Sequence, residues 1–168
     1  MIGILDTGGN YGSLLSAFER TGYKAAVLSS GDDVDAVDRL VLPGVGRADV
    51  VMKRIGPYMA ERIKAMTKPV FGICVGFHVM CQHSEEGDTP CMGIFPATVR
   101  KGRIHHGWSE LRGVGWFFYT HGYHVAVNGI PTGIMARDNF LGVQFHCEKS
   151  GPTGIEFLRR WASGELES

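Results

Sequence analysis

Along the first half of the chain, short apolar runs alternate with stretches in which apolar residues recur at helical spacing. Ile2-Gly3-Ile4-Leu5 stops at Asp6-Thr7-Gly8-Gly9-Asn10, the pattern of a buried strand ending in a glycine-rich turn. Leu14, Leu15 and Phe18 then fall on one helical face, with Asn10 or Ser13 placed to cap the start and Gly22 to end it. Tyr23 to Leu28 reads as a second strand, Ser29-Ser30-Gly31-Asp32-Asp33 as a polar loop, and Arg39-Leu40-Val41-Leu42 as a third strand. From Ala48 to Met66, the residues Val51, Met52, Ile55, Met59 and Ile63 suit a helix that breaks at Gly56-Pro57. Pro69 opens a fourth strand, Val70 to Ile73. This alternation predicts an α/β fold of three layers, a mostly parallel sheet with helices on both faces, whose ligands sit at the carboxyl ends of the strands.

The second half is punctuated differently. Short runs at Gly93 to Val99, Val114 to Tyr119, His124 to Val127, Ile134 to Arg137 and Phe140 to His146 predict hairpins and antiparallel additions, with turns at Asn128-Gly129 and Asp138-Asn139. A last helix is expected from about Thr153 to Trp161, facing the sheet with Ile155, Leu158 and Trp161. With 168 residues, 44% of them hydrophobic, the chain suits a single domain spanning residues 1–168. No repeat or linker interrupts it.

Charge narrows the function classes. The 17 basic and 17 acidic residues balance, so no nucleic-acid partner is expected, although Arg100-Lys101-Gly102-Arg103 forms a local basic patch. No apolar run reaches membrane-spanning length and no leader precedes Ile2, so the expected location is the cytoplasm, with no membrane contact. Four cysteines, Cys74, Cys81, Cys91 and Cys147, show no CxxC pairing and are expected as free thiols. Gly8-Gly9 belongs to neither a GxGxxG nor a GK[ST] pattern, so it reads as a tight turn, and no cofactor is expected.

The candidate chemistry lies in Gly72-Ile73-Cys74-Val75-Gly76. A buried strand turning at once into a helix exposes its junction side chain, and the tight turn excludes bulk two residues to either side. The helix start also favours a thiolate at Cys74. Pro43-Gly44-Val45-Gly46-Arg47 after the third strand can turn main-chain N–H groups toward a ligand, or can be an ordinary loop. A thiol nucleophile needs a base and an orienting group. His146 and Glu148, two apart in a segment read as extended, project to one side and can supply both, or can be a solvated pair at a strand end.

Taken together, Pro43-Gly44-Val45-Gly46, Phe71-Gly72-Ile73-Cys74-Val75-Gly76 and Gly142-Val143-Gln144-Phe145-His146-Cys147-Glu148-Lys149-Ser150 resemble the class I, triad-type glutamine amidotransferases over nearly the whole chain. Ile2 to Asp6, Gly107-Trp108, His121-Gly122-Tyr123 and Glu148-Lys149-Ser150 resemble most the branch of glutaminase subunits of imidazole glycerol phosphate synthase in histidine biosynthesis. The resemblance implies that Cys74 attacks the side-chain amide of L-glutamine, that His146 protonates the departing ammonia, and that Glu148 orients His146. It implies an oxyanion and substrate site built from Gly44, Val45, Gly46, Val75, His78, His121, Gly122 and Tyr123, with no metal. It also implies a heterodimer with a (β/α)₈-barrel synthase subunit that receives the ammonia through a channel.

Four positions depart from that pattern: His78 stands where glutamine is usual, Cys147 where proline is usual, Ser109 where asparagine is usual, and Gly122 where serine or threonine is usual. Rival expectations are a paralogue that feeds another synthase, such as a sugar-modifying one, or hydrolyses another amide, and a scaffold subunit without turnover. A metal held by Cys74, His78, His146 and Cys147 is a further rival, because Cys74 and His78 lie four apart on a possible helix.

Overall fold

The computed structural model describes residues 1–29 and 34–166, so the expected loop from Ser29 to Asp33 lies outside the described residues except for Ser29. The first half runs β1 (Ile2–Leu5), α1 (Gly12–Thr21), β2 (Ala25–Leu28), β3 (Arg39–Leu42), α2 (Ala48–Lys64), β4 (Val70–Ile73) and the short α3 (Val75–Met80). The second half adds β5 (His83–Ser84), β6 (Thr89–Pro90), β7 (Thr98–Leu111), β8 (Gly115–Val127), β9 (Ile130–Pro131), β10 (Ile134–Arg137) and β11 (Phe140–Val143), then α4 (Gly151–Ser163). Among the described residues, no helix is long and apolar enough to cross a membrane.

Six strands form the main sheet in the order β10-β11-β4-β3-β1-β2. All neighbours are parallel except β10, which runs antiparallel to β11. Every residue of β1, β4 and β11 is buried, as continuous apolar runs covered on both faces require. On one face Phe71 of β4 meets Trp161 of α4 at 5.1 Å between ring centroids, and Trp161 meets Phe18 of α1 at 6.3 Å. Each such ring contributes about 1.5–3 kcal/mol by burial alone. On the other face α3 lies hard against the strands: Gly72 and Gly142 are register partners, and a Cβ on either would collide with Met80 or with Phe77. Only hydrogen at these two positions lets the helix approach so closely.

Several expectations hold and several shift. Gly56, with φ 69°, breaks α2 where Gly56-Pro57 predicts it, and Gly22 ends α1 in the left-handed conformation. The start of α1 differs: Tyr11 occupies the cap position with no side-chain cap bond, while Asn10 Oδ1 accepts the Gly12 N–H at 2.9 Å. The predicted turns at Asn128-Gly129 and Asp138-Asn139 both form, with positive φ at Asn128, Gly129 and Asp138. The largest difference is a second sheet, β6-β5-β7-β8-β9, dominated by the long β7–β8 hairpin. The runs at Val114 to Tyr119 and His124 to Val127 are parts of the one strand β8. In the outer part of β7 the apolar residues Ile104 and Trp108 point outward, 83% and 53% exposed, while the half-buried His105 stacks on Tyr119 at 4.5 Å. This reversal of the usual apolar-in, polar-out rule hides the strand from a hydrophobicity pattern.

Candidate active site

Three adjacent parallel strands, β3, β4 and β11, end level with one another, with Leu42 opposite Gly72 and Val143 opposite Ile73. The residues that follow them therefore meet at one sheet edge. Cys74 leaves β4 with its N–H donating to the Val143 carbonyl at 2.8 Å, and its own carbonyl accepts the His78 N–H at 3.0 Å to start α3. Between these bonds Cys74 adopts φ 47° and ψ −105°. Such a conformation costs a non-glycine residue about 1–3 kcal/mol and persists where its surroundings over-determine it. The flanking glycines do so. A Cβ on Gly76 would run into the Leu42 carbonyl, and one on Gly72 would lie 2.8 Å from the main chain of Gly76. Gly44 closes the group from the loop after β3: a Cβ there would stand 2.7 Å from the Ile73 carbonyl, 3.0 Å from Cys74 Cβ and 3.1 Å from His146 Cε1.

His146 reaches the same point from the end of β11. Its N–H donates to the Phe118 carbonyl at 2.9 Å, and its carbonyl accepts the Ser150 hydroxyl at 2.6 Å, which ties the segment to β8. The His146 Nδ1–H donates to Glu148 Oε1 at 2.8 Å, with the two side chains only 4% and 9% exposed. The two residues meet by a route other than the expected one. β11 ends at Val143, and Cys147–Lys149 forms a single turn of 3-10 helix, so Glu148 is swung to His146 by a turn rather than by strand alternation. His146 stands beside Cys74 over Gly44, where both side chains crowd the same point. Burial opposes charge on its imidazole, but the hydrogen bonds and negative charges of Cys74 and Glu148 outweigh burial and raise its pKa to about 10. The arrangement brings a thiol, an imidazole and a buried carboxylate together.

Beside the sulfur lies a cavity of about 220 Å³. Gly44, Val45, Gly46, Val75 and His78 line it from the elements of the main sheet, and His121, Gly122 and Tyr123 from β8, together with Cys74 and His146. Glu148 does not face this cavity; it borders a second one, of about 270 Å³, behind the Pro43–Val45 loop. His121 Nδ1–H donates to the Tyr123 carbonyl at 2.8 Å, and burial lowers the His121 pKa to about 4. Burial likewise lowers His78 to about 4, against a hydrogen bond to Gln144 that favours the charged form. Both rings are neutral at physiological pH. Among the described residues, no three His, Cys, Asp or Glu side chains are grouped to hold a metal ion, and Cys147 is buried outside the cavity lining.

Sequence reasoning missed Glu86, Lys149 and Thr120, which also line the cavity, and Gln144, whose side-chain nitrogen donates to Cys74 Sγ at 3.6 Å. Glu86 accepts the Ala48 N–H at 2.9 Å and lines the cavity, as does the exposed Lys149, which also borders the second cavity. A polar residue inside the run Val143-Gln144-Phe145 is the one local signal for Gln144. Glu86 sits in a charged turn with no local signal at all.

A family model described as the SNO glutamine amidotransferase family matches residues 4–107. The imidazole glycerol phosphate synthase subunit HisH of Idiomarina loihiensis is 31% identical over 179 residues, covering 90% of this chain and 91% of that protein. The protein of the same description from Xanthomonas euvesicatoria pv. vesicatoria is 31% identical over 191 residues, covering 95% and 96%. Among solved structures, a glutamine amidotransferase superposes with a TM-score of 0.74 at 17% identity, covering 97% of this chain and 98% of that one. A putative GMP synthase subunit from Thermoplasma acidophilum gives 0.68 at 18% identity, covering 94% and 90%. These two structural likenesses concern the fold alone.

Proposed function

The chain belongs to the SNO glutamine amidotransferase family, and from that premise we propose that it hydrolyses L-glutamine at Cys74 and passes the ammonia to the (β/α)₈ synthase subunit of an imidazole glycerol phosphate synthase. The observation that carries the chemistry is the buried hydrogen bond of His146 to Glu148, made with the imidazole standing beside Cys74 over Gly44. The Cys74 thiolate attacks the carboxamide carbon of glutamine, and the carbonyl oxygen becomes an oxyanion. In this reading the oxygen is received by main-chain N–H groups of Val75, at the start of α3, and of the Gly44–Gly46 loop, all of which line the cavity. Each donor of this kind is worth about 2.7–4 kcal/mol in the transition state. The His146 imidazolium gives its proton to the leaving nitrogen, ammonia departs, and a glutamyl thioester remains on Cys74. His146, now neutral, takes a proton from water, whose oxygen attacks the thioester, and glutamate leaves as the thiolate is restored. Glu86 and Lys149 supply the opposite charges that a zwitterionic amino acid needs at the cavity wall. The HisH relatives support the histidine-pathway partner.

Two observations favour a second acceptor: the family model that matches is the SNO model, and His78 replaces the usual glutamine. In that reading the same glutaminase serves a different synthase. Glutamate release is measured for the wild-type chain and for Cys74→Ala, alone and with a (β/α)₈ synthase subunit of the histidine pathway. The expected result is turnover that the partner stimulates and Cys74→Ala abolishes. Turnover surviving in Cys74→Ala refutes the nucleophile, and stimulation only by a synthase of another pathway selects the second reading. A chain inert under every condition is a scaffold.

A further inference from the structure

Gln144 is 2% exposed, and all of its side-chain hydrogen bonds are internal. Its Oε1 accepts the Val125 N–H at 3.3 Å and faces His78 Nε2 at 3.1 Å, while its Nε2 donates to Cys74 Sγ at 3.6 Å. A main-chain N–H only donates, so Val125 determines which end of the amide is oxygen. It follows that His78 Nε2 carries a hydrogen and donates to that oxygen, and that the amide hydrogens of Gln144 face the sulfur. The tautomer leaves His78 Nδ1 as a bare lone pair, and that atom has no hydrogen-bond partner among the described residues.

Resting on the reading of Cys74 as the nucleophile, we propose that His78 and Gln144 form a positioning relay for the thiolate. His78 holds the Gln144 oxygen together with Val125, and the amide, unable to rotate, keeps an N–H on the sulfur. Cys74 thus has the Gln144 amide as its donor and the His146 imidazole standing beside it, and it lines the cavity. His78 acts here through Gln144 and does not itself hold the substrate. The ionisable groups around the sulfur are His146 and Glu148 after β11, His78 on α3, His121 and Tyr123 on β8, and Glu86 and Lys149 at the cavity. Gln144 is an uncharged donor among them, so removing it changes the hydrogen bonding of the sulfur without adding or deleting a charge.

The test is the pH profile of Cys74 alkylation by iodoacetamide on the full chain, read at the Cys74 peptide by mass spectrometry, alongside glutaminase kcat and KM with the partner present. The other thiols do not interfere: burial pushes Cys91 up to about 11, and it raises Cys81 and Cys147 as well. Gln144→Met should raise the alkylation midpoint by about one pH unit, a tenfold loss of thiolate at fixed pH equal to about 1.4 kcal/mol. His78→Leu should raise it by less and lower kcat at an unchanged KM. His78→Gln, which restores an N–H donor, should return both to the wild-type values. A Gln144→Met midpoint equal to wild type overturns the relay, as does a His78→Leu variant that raises KM without moving the midpoint. If Gln144→Met reproduces the profile of urea-denatured wild type, it is unfolded, and the two His78 variants decide the matter on the same criteria. Wild-type Cys74 that reacts no faster than in urea overturns the nucleophile reading itself, and the relay with it.

Discussion

Glu148→Gln separates the charge of the orienting group from its shape. In the wild type the His146 Nδ1–H donates to Glu148 Oε1 at 2.8 Å, in surroundings where both side chains are nearly closed to water. Glu148 Oε2 has no hydrogen-bond partner among the described residues, so an amide nitrogen can stand there without breaking a bond while the amide oxygen still accepts from His146. What disappears is the negative charge. A hydrogen bond to a charged group contributes roughly 1.5–3 kcal/mol and a neutral one roughly 0.5–1.5, so the exchange costs the imidazolium about 1–1.5 kcal/mol. Because 1.36 kcal/mol is a factor of ten in rate, glutaminase kcat is expected to fall about tenfold with KM unchanged. The assay is steady-state glutamate release with the partner subunit, with the urea midpoint checking that the fold is intact. A kcat within twofold of wild type refutes a role for the charge. A loss as complete as that of Cys74→Ala shows instead that the amide has turned the ring, so that geometry and not charge was lost.

Two further outcomes follow from the packing and the titration of the same site. Gly76→Ala drives a methyl group into the buried Leu42 carbonyl, so it is expected to cost about 1–3 kcal/mol and to lower the urea midpoint; an unchanged midpoint refutes the tight contact. The pKa of His146 is raised from 6.5 to about 10 in the folded chain, so its stabilising contribution is fully present below pH 6.5 and is lost as pH rises through about 10. Urea unfolding across that window should show the wild type losing more stability than Glu148→Gln, and equal losses refute the coupling.

Much of this protein can be read from local sequence because local sterics govern it. Gly72, Cys74 and Gly76 announce a strand that turns sharply into a helix, and a side chain at either glycine would collide within a few residues or with the adjacent strand. The alternation of strands with helices likewise fixes the parallel sheet and the edge where Pro43–Gly46, Cys74 and His146 arrive. His146 and Glu148 meet although the strand geometry that predicts their meeting is absent, since the extended His146 directly precedes the 3-10 turn at Cys147–Lys149 that carries the Glu148 carboxylate to the ring.

Only the tertiary structure decides the rest. The contacts of Gln144 with His78 and with Cys74 span 66 and 70 residues, and no periodicity of strand or helix carries information across such separations. Glu86 comes to the cavity from a turn whose own residues give no reason to expect it there. The β7–β8 hairpin turns Ile104 and Trp108 to solvent, so its burial pattern contradicts its composition. Local chemistry determined where Cys74 stands, while the packing of distant strands determined which groups hold its sulfur, because hydrogen-bond partners are chosen by proximity in space.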